Sequence, residues 1–431
     1  MGDYLAVMAA AAVVTMLFTA IVRILAIRFG WVPPVRDRDM HDSPIPRFGG
    51  LAMLAGLAAA LLLAKHLPGL STAFHPIANL PHRSVWVVLA AAALICLLGA
   101  VDDKNGVDPF LKLAGQAGAG ALLPLFDLRL TWLPVPGYGP VQLSPVFGFI
   151  LTVLLVLICV NAVNFADGLD GLAAGLVGIA ALAFFGFAYR LSTGFDLSLI
   201  GTQESALFAV ILVGICAGFL VHNWPPANIF MGDSGALLLG LVLAAATVSF
   251  AGGIKPEDFV DLVGSKTFAT HKSLPVYIPV IVPLTCLALP CLDLILTVVR
   301  RTRAGKHPWA PDTLHLHHRM IHLGHSKRRA VLVLYFWAAL IAFIPVLMSV
   351  TTRHQPYILA ALALTFCGLL LLLPPATGRR RGRAGMAAAM VPRPRRETVA
   401  QPHPLAEPDP EPEPIDYFSK PAEQPSRRRS R

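Results

Sequence analysis

Long apolar runs separated by short polar breaks recur along most of this chain. Eleven of them stand out: Tyr4–Phe29, Phe48–Ala64, Ser84–Val101, Leu111–Phe126, Val146–Val163, Leu172–Tyr189, Ser205–His222, Gly235–Phe250, Leu274–Val299, Ala330–Val350 and Tyr357–Leu373. At about 16–26 residues each, most are long enough for a helix to cross the roughly 30 Å of bilayer hydrocarbon. The first run does not read as a signal peptide, because its leading residues carry Asp3 and no cation, while Arg23 and Arg28 stand at its far end. The pattern predicts an all-α integral membrane protein of about eleven transmembrane helices over residues 1–374. Residues 375–431 break it. They hold eleven of the 36 prolines, alternating with acids from Glu407 to Pro414, and predict a disordered tail.

Composition sharpens this picture. Hydrophobic residues make up 55% of the 431 and charged residues only 14%, with mean hydropathy +0.65. A soluble chain carries roughly 25% charge. A soluble enzyme is excluded, and so is a disordered protein outside the tail. The net charge of +10 (35 Lys+Arg minus 25 Asp+Glu) matters through its placement. Twelve cations lie in the tail, including Arg379-Arg380-Arg381 just after the last run. Placing that side in the cytoplasm puts twelve more in same-side loops and eight in the opposite ones. The predicted N-terminus is outside and the C-terminus cytoplasmic. These cations form an orientation signal and a phosphate-binding rim, and nucleic acid is not indicated. The six cysteines lie inside apolar runs without Cys-x-x-Cys spacing and read as small hydrophobes.

Four polar clusters interrupt the apolar pattern: Asp102-Asp103, the run from Asn161 to Asp170, Asp233, and His315 through Arg319. They fall after the third, fifth, seventh and ninth runs, so alternating topology collects all four at the cytoplasmic rim. Asp102 and Asp103 sit at a helix C-terminus, where the macrodipole disfavours carboxylates, and two acids there need a cation nearby. The turn Asn105-Gly106-Val107-Asp108-Pro109 returns the chain towards them and lets Lys112 point back, with Gln116 one turn further on. A pair of solvated loop acids is the plainer alternative. Asn161, Asn164, Asp167 and Asp170 recur every third residue, so on an unbroken helix each step falls about 60° short of a turn. Gly168 and Gly171 offer a break that lets Asp167 and Asp170 face a common point. Hydrogen bonds between helices are the structural alternative, but ionisable groups at bilayer depth are functional candidates by default. Asp233, before the eighth run, reads as a helix N-cap or as a carboxylate beside a positive dipole end suited to a metal–phosphate pair.

The loop between runs nine and ten holds six histidines, His307, His315, His317, His318, His322 and His325. Zinc is one reading, as His318 and His322 could share a helix face, but no Cys accompanies them and no Glu follows His318 as in a zinc protease. Histidines on a wet loop are the bland one. His and Arg319 beside several Asp suit an anionic, oxygen-rich ligand, with Arg offering a bidentate fork to phosphate. The first loop carries Arg36, Asp37, Arg38, Asp39, His41 and Arg47, and the spacing of its two acids is too common to assign. No P-loop is present, so ATP is not indicated. Carboxylates with an Asn suit Mg²⁺, and phosphoryl transfer needs mainly positioning and charge neutralisation. A membrane scaffold with such a rim implies one water-soluble phosphate substrate and one lipid substrate.

Taken together, Asp102-Asp103 with Lys112 and Gln116, Asn161-x-x-Asn164-x-x-Asp167-Gly168-x-Asp170-Gly171, Phe230-Met231-Gly232-Asp233 and His315-x-His317-His318-Arg319 resemble the polyprenyl-phosphate N-acetylhexosamine-1-phosphate transferase family. The His-x-His-His-Arg form resembles the branch using UDP-N-acetylglucosamine rather than UDP-N-acetylmuramoyl-pentapeptide. The resemblance implies that a polyprenyl phosphate attacks the β-phosphorus of UDP-N-acetylglucosamine in a bacterial plasma membrane, feeding cell-envelope polysaccharide synthesis. It implies Mg²⁺, with Mn²⁺ as a substitute, held by Asp233 and Asn164. Asp102, Asp103 and Asp167 become the catalytic candidates, with direct attack favoured over an aspartyl-phosphate intermediate. Lys112, Asn161, Asp170, His315, His317, His318 and Arg319 become the substrate contacts. Homodimers are common in this fold, and nothing in the sequence specifies one. Another UDP-N-acetylhexosamine or UDP-N-acetylmuramoyl-pentapeptide as donor, a cation-coupled transporter and a non-catalytic lipid-binding scaffold are the rival readings.

Overall fold

Nine of the eleven apolar runs are helices in the computed structural model, which describes residues 1–32, 45–74, 85–135, 139–194, 200–253, 302–303, 305 and 326–350. The runs at Leu274–Val299 and Tyr357–Leu373, the histidine-rich loop and the proline-rich tail lie outside the described residues. The helices are α1 (Gly2–Arg28), α2 (Gly49–His66), α3 (Val85–Asn105), α4 (Pro109–Leu125), α5 (Pro145–Ala166), α6 (Leu172–Gly194), α7 (Ile200–Asn223), α8 (Gly232–Gly253) and α9 (Lys327–Val350). Seven of them, α1–α3 and α5–α8, are long and apolar enough to cross a membrane by length and composition.

Helix α8 is the axis of the described bundle. It packs against α2, α3, α5 and α7, and every residue from Ser234 to Ala251 is buried. A helix apolar all round needs protein neighbours or hydrocarbon on every face, and α8 has neighbours. By contrast, α1 and α5 turn Leu17, Ile24, Ile150 and Leu154 outward. In a multi-pass membrane protein such side chains meet hydrocarbon, which satisfies them as well as a core does.

The polarity of the bundle follows from two contacts. Asp3, at the start of α1, accepts a hydrogen bond from Gly69 N (2.9 Å), just past the end of α2. At the other end of α2, Gly49 N donates to Phe230 O (3.0 Å) and Gly50 N to Met231 O (3.1 Å), beside the start of α8. Met1 and Asp233 therefore sit at opposite ends.

One feature is absent from the apolar pattern. Between α4 and α5 the chain forms an antiparallel hairpin, β1 (Trp132–Val135) and β2 (Gly139–Gln142), pairing Trp132 with Gln142 and Val135 with Gly139. It sits at the Met1 end, where Thr131 Oγ1 donates to Ala251 O (2.7 Å) in the last turns of α8. Its proline and glycine content reads as loop, and each strand is only four residues long.

Candidate active site at the start of helix α8

The α3–α4 turn is fixed by local chemistry. Gly106 takes φ +71°, Asp102 Oδ1 accepts from Val107 N (2.7 Å), and Asp108 caps α4 by accepting from Phe110 N (2.9 Å), with Pro109 in the first turn. This turn sends Lys112 back over the end of α3. Its Nζ lies 2.6 Å from Asp102 Oδ2 and also contacts Asp233 Oδ2. One ammonium thus bridges carboxylates from two helices, and all three side chains are part-exposed at the bundle end.

Asp103, about 100° further round α3, points at α8 instead. Its Oδ1 accepts from Asp233 N (2.9 Å) and its Oδ2 from Ser234 N (3.1 Å). The two acids at the unfavourable end of α3 are therefore balanced separately, Asp102 by Lys112 and Asp103 by the positive end of α8. This corrects one sequence expectation: Asp233 does not cap its own helix, because Asp103 supplies the cap from α3. Asp233 is left to face Lys112 and Asn164. The approach is close enough that a Cβ on Gly99, one turn below Asp103, would lie 2.4 Å from Ser234 N. Gly232, at φ +67°, has room for no side chain either, since its Cβ would meet Arg47 O at 2.0 Å.

The polar run that starts in the last turns of α5 divides as its 60° steps require. Asn164 Nδ2 donates to Asp233 Oδ1 (2.8 Å), so Asn164 joins the cluster. Asn161 faces α4 instead, donating to Gln116 Oε1 (2.8 Å) and to Leu157 O (2.8 Å). The helix ends at Ala166 and the chain turns through Gly171 at φ +74° before α6, the break that the glycines suggested. Asp170 is buried and its Oδ2 accepts from Ala227 N (3.1 Å), which ties this turn to the α7–α8 loop. Asp167 lies outside the helices. Burial pushes its carboxyl up to about 7, helped by the nearby Asp103 and Asp170 and opposed by Arg47.

Several contributors escaped the sequence reading. Asn223, buried at the end of α7, accepts from Gly171 N (2.9 Å) and donates to Ile229 O (2.8 Å), fixing both loops. A single Asn ending an apolar run carries no signal of that task. Tyr335 of α9 donates to Gly171 O, and Arg328 Nε donates to Pro225 O (2.7 Å), so α9 clamps the same pair of loops. Arg47, in the first loop, follows Pro46, whose O accepts from Phe230 N (2.8 Å), and its own carbonyl lies against Gly232. His315, His317, His318 and Arg319, and the residues from Arg36 to His41, lie outside the described residues. So do Cys286, Cys291 and Cys367, whereas Cys96, Cys159 and Cys216 are buried free thiols as expected.

Chemically, the bundle end gathers Asp102 and Asp233 on Lys112 and Asp103 on the first amides of α8, with Asp167 and Arg47 near Asp103. Acids outnumber these cations, and the surplus suits a cation carried in with a phosphate. Among the described residues, no three His, Cys, Asp or Glu side chains converge as a metal centre. Mg²⁺ needs fewer, commonly one or two carboxylates with water and substrate phosphate completing its shell. Asp233 and Asn164 fit that demand, since turning the Asn164 amide presents its oxygen beside the carboxylate.

The chain was compared with known proteins. The glycosyl transferase family 4 model matches residues 85–251, the stretch from α3 to the end of α8. The decaprenyl-phosphate N-acetylglucosaminephosphotransferase of Mycolicibacterium smegmatis is 39% identical over 337 residues, covering 77% of this chain and 79% of that protein. The protein of the same name from Mycobacterium tuberculosis is 41% identical over 335 residues, again 77% and 79%. A probable undecaprenyl-phosphate N-acetylglucosaminyl 1-phosphate transferase of Bacillus subtilis is 29% identical, over 74% of this chain and 78% of that one. With such identity across most of both partners, and with the matched stretch holding the Asp102–Lys112–Asp233 cluster, the chain belongs to the polyprenyl-phosphate N-acetylglucosamine-1-phosphate transferase family.

Proposed function

We propose that this protein transfers N-acetylglucosamine-1-phosphate from UDP-N-acetylglucosamine to a membrane polyprenyl phosphate, releasing UMP and forming polyprenyl-diphosphate-N-acetylglucosamine. The observation that carries this reading is Lys112 bridging Asp102 and Asp233, with Asn164 on the same carboxylate, at one end of an otherwise apolar bundle. A lipid phosphate arriving from the bilayer and a nucleotide diphosphate arriving from water meet at such an end. The cation distribution supports a site at the cytoplasmic rim with the N-terminus outside, and the bacterial relatives support a bacterial plasma membrane.

Asp233 and Asn164 would hold Mg²⁺, which would supply charge neutralisation and alignment of the diphosphate. Lys112, still held by Asp102, would take a phosphate oxygen, so that Asp102 orients the lipid phosphate through this ammonium. That phosphate is largely dianionic at neutral pH, having a second pKa near 6, so its oxygen attacks the β-phosphorus directly and the bond to UMP breaks. The commitments of the carboxylates support direct attack over an aspartyl-phosphate. Both oxygens of Asp102 accept hydrogen bonds, from Val107 N and Lys112, and both of Asp103 accept from α8. His315, His317, His318 and Arg319 hold the sugar-phosphate in this reading, Asp167 shapes the field at the diphosphate, and Asp170 places the α7–α8 loop against the nucleoside.

Membranes incubated with sugar-labelled UDP-N-acetylglucosamine, polyprenyl phosphate and Mg²⁺ should yield butanol-extractable label, lost on chelation and reduced at least about a hundredfold in Asp233→Asn. No extractable label from folded wild-type protein refutes the reading, and a preference for another UDP-sugar reassigns the donor.

A further inference from the structure

We infer that Asp103 is a positioning residue, a helix cap delivered from α3 that sets where Asp233 stands, and not the base of the transfer. This rests on the function proposed above and assigns Asp103 a task within that site.

The geometry is specific. The first amides of a helix lack partners within it, and a cap is normally the side chain immediately before them. Here Phe230 and Met231 precede α8 and Gly232 begins it, and none carries a side-chain oxygen to accept. The missing acceptor comes from 130 residues away in sequence, with Oδ1 on Asp233 N at 2.9 Å and Oδ2 on Ser234 N at 3.1 Å. Its surroundings keep it there. Gly99 and Gly232 leave the space in which α3 and the α8 start approach, and a Cβ at Gly232 would lie 2.4 Å from Asp103 Oδ2.

Two consequences follow. The carboxylate of Asp103 is spent on main-chain amides and lies on a different face of α3 from Asp102, which alone reaches Lys112. Its partner amide also belongs to Asp233 itself, so the cap fixes the backbone from which the proposed Mg²⁺ ligand projects. Losing the cap lets the first turn of α8 fray and Asp233 wander, which weakens metal capture without removing a reacting group. A base would behave differently: its loss lowers the rate at every metal concentration.

The test uses the full-length protein in detergent and compares wild type, Asp103→Asn and Asp103→Ala. Hydrogen–deuterium exchange is read in the peptide covering Phe230 to Leu237, which needs no activity. Exchange there should quicken in the order wild type, Asn, Ala, because Asn keeps one acceptor, while α3 and the rest of α8 stay unchanged. The metal concentration for half-maximal rate should rise roughly three- to thirtyfold in Asp103→Ala, the range a lost cap of ordinary strength spans. Asn should fall between, and the rate at saturating Mg²⁺ should largely recover with an unchanged pH profile. If the alanine variant does not accumulate, Asp103→Asn carries the comparison. Unchanged exchange overturns the cap. Equal, metal-independent losses in both variants, with the acidic limb of the pH profile gone, restore Asp103 as a base. A wild type with no transferase activity refutes the proposed function alone, since the exchange result stands apart from it.

Discussion

Lys112 is the residue on which the cluster depends, because among the described residues it is the ammonium placed between Asp102 and Asp233. Lys112→Met should cut the initial rate at saturating Mg²⁺ by at least about a hundredfold. Lys112→Arg should restore little, since a planar fork does not fit where a compact charge sits between two carboxylates. A rate within tenfold of wild type for the methionine variant would contradict this role. Asp167 makes a separate prediction about pH. Its carboxyl is pushed up to about 7 in the folded protein, against an ordinary value near 4. Below about pH 4 both folded and unfolded chains hold the proton, and nothing is lost. Between about 4 and 7 only the folded chain holds it, so stability falls as pH rises, and the penalty levels off above 7. Asp167→Asn removes the penalty, so its melting temperature should gain on wild type from pH 4 to 7. A difference that does not vary with pH would contradict the shift.

At the level of elements, the site is a meeting of helix ends, with the C-terminus of α3 against the N-terminus of α8. Gly99→Val should push these apart, since even a Cβ would lie 2.4 Å from a backbone nitrogen. It should cost at least about 2 kcal/mol of stability and take activity with it. Gly118→Ala, in α4 with nothing within 4 Å of the new Cβ, should not lower the melting temperature. Equal effects from the two substitutions would show that the contact does not matter. The helices themselves were legible, because a bilayer leaves their apolar runs unmistakable. So was the return of Lys112, because Asn-Gly and Asp-Pro announce the turn. The trans cap was not, since nothing local says that Asp103 will serve a helix start 130 residues away. Nor was the β1–β2 hairpin, whose prolines hide it, or Asn223, a lone amide at a helix end.

For the whole molecule, α8 is buried from Ser234 to Ala251 and carries charge only at Asp233, so its polar cluster lies at one end of the described bundle. That arrangement distinguishes a transferase from a cation-coupled transporter, whose acids belong near the bilayer midplane, and the family to which the chain belongs agrees. In the proposed reaction the group moved to the lipid includes a phosphate and not the sugar alone. The most direct test supplies UDP-N-acetylglucosamine labelled with ³²P at the β-phosphorus, together with polyprenyl phosphate, to the purified protein. The label should pass into the lipid extract in step with the release of unlabelled UMP. Label remaining in water as UDP while sugar appears on the lipid would contradict the account.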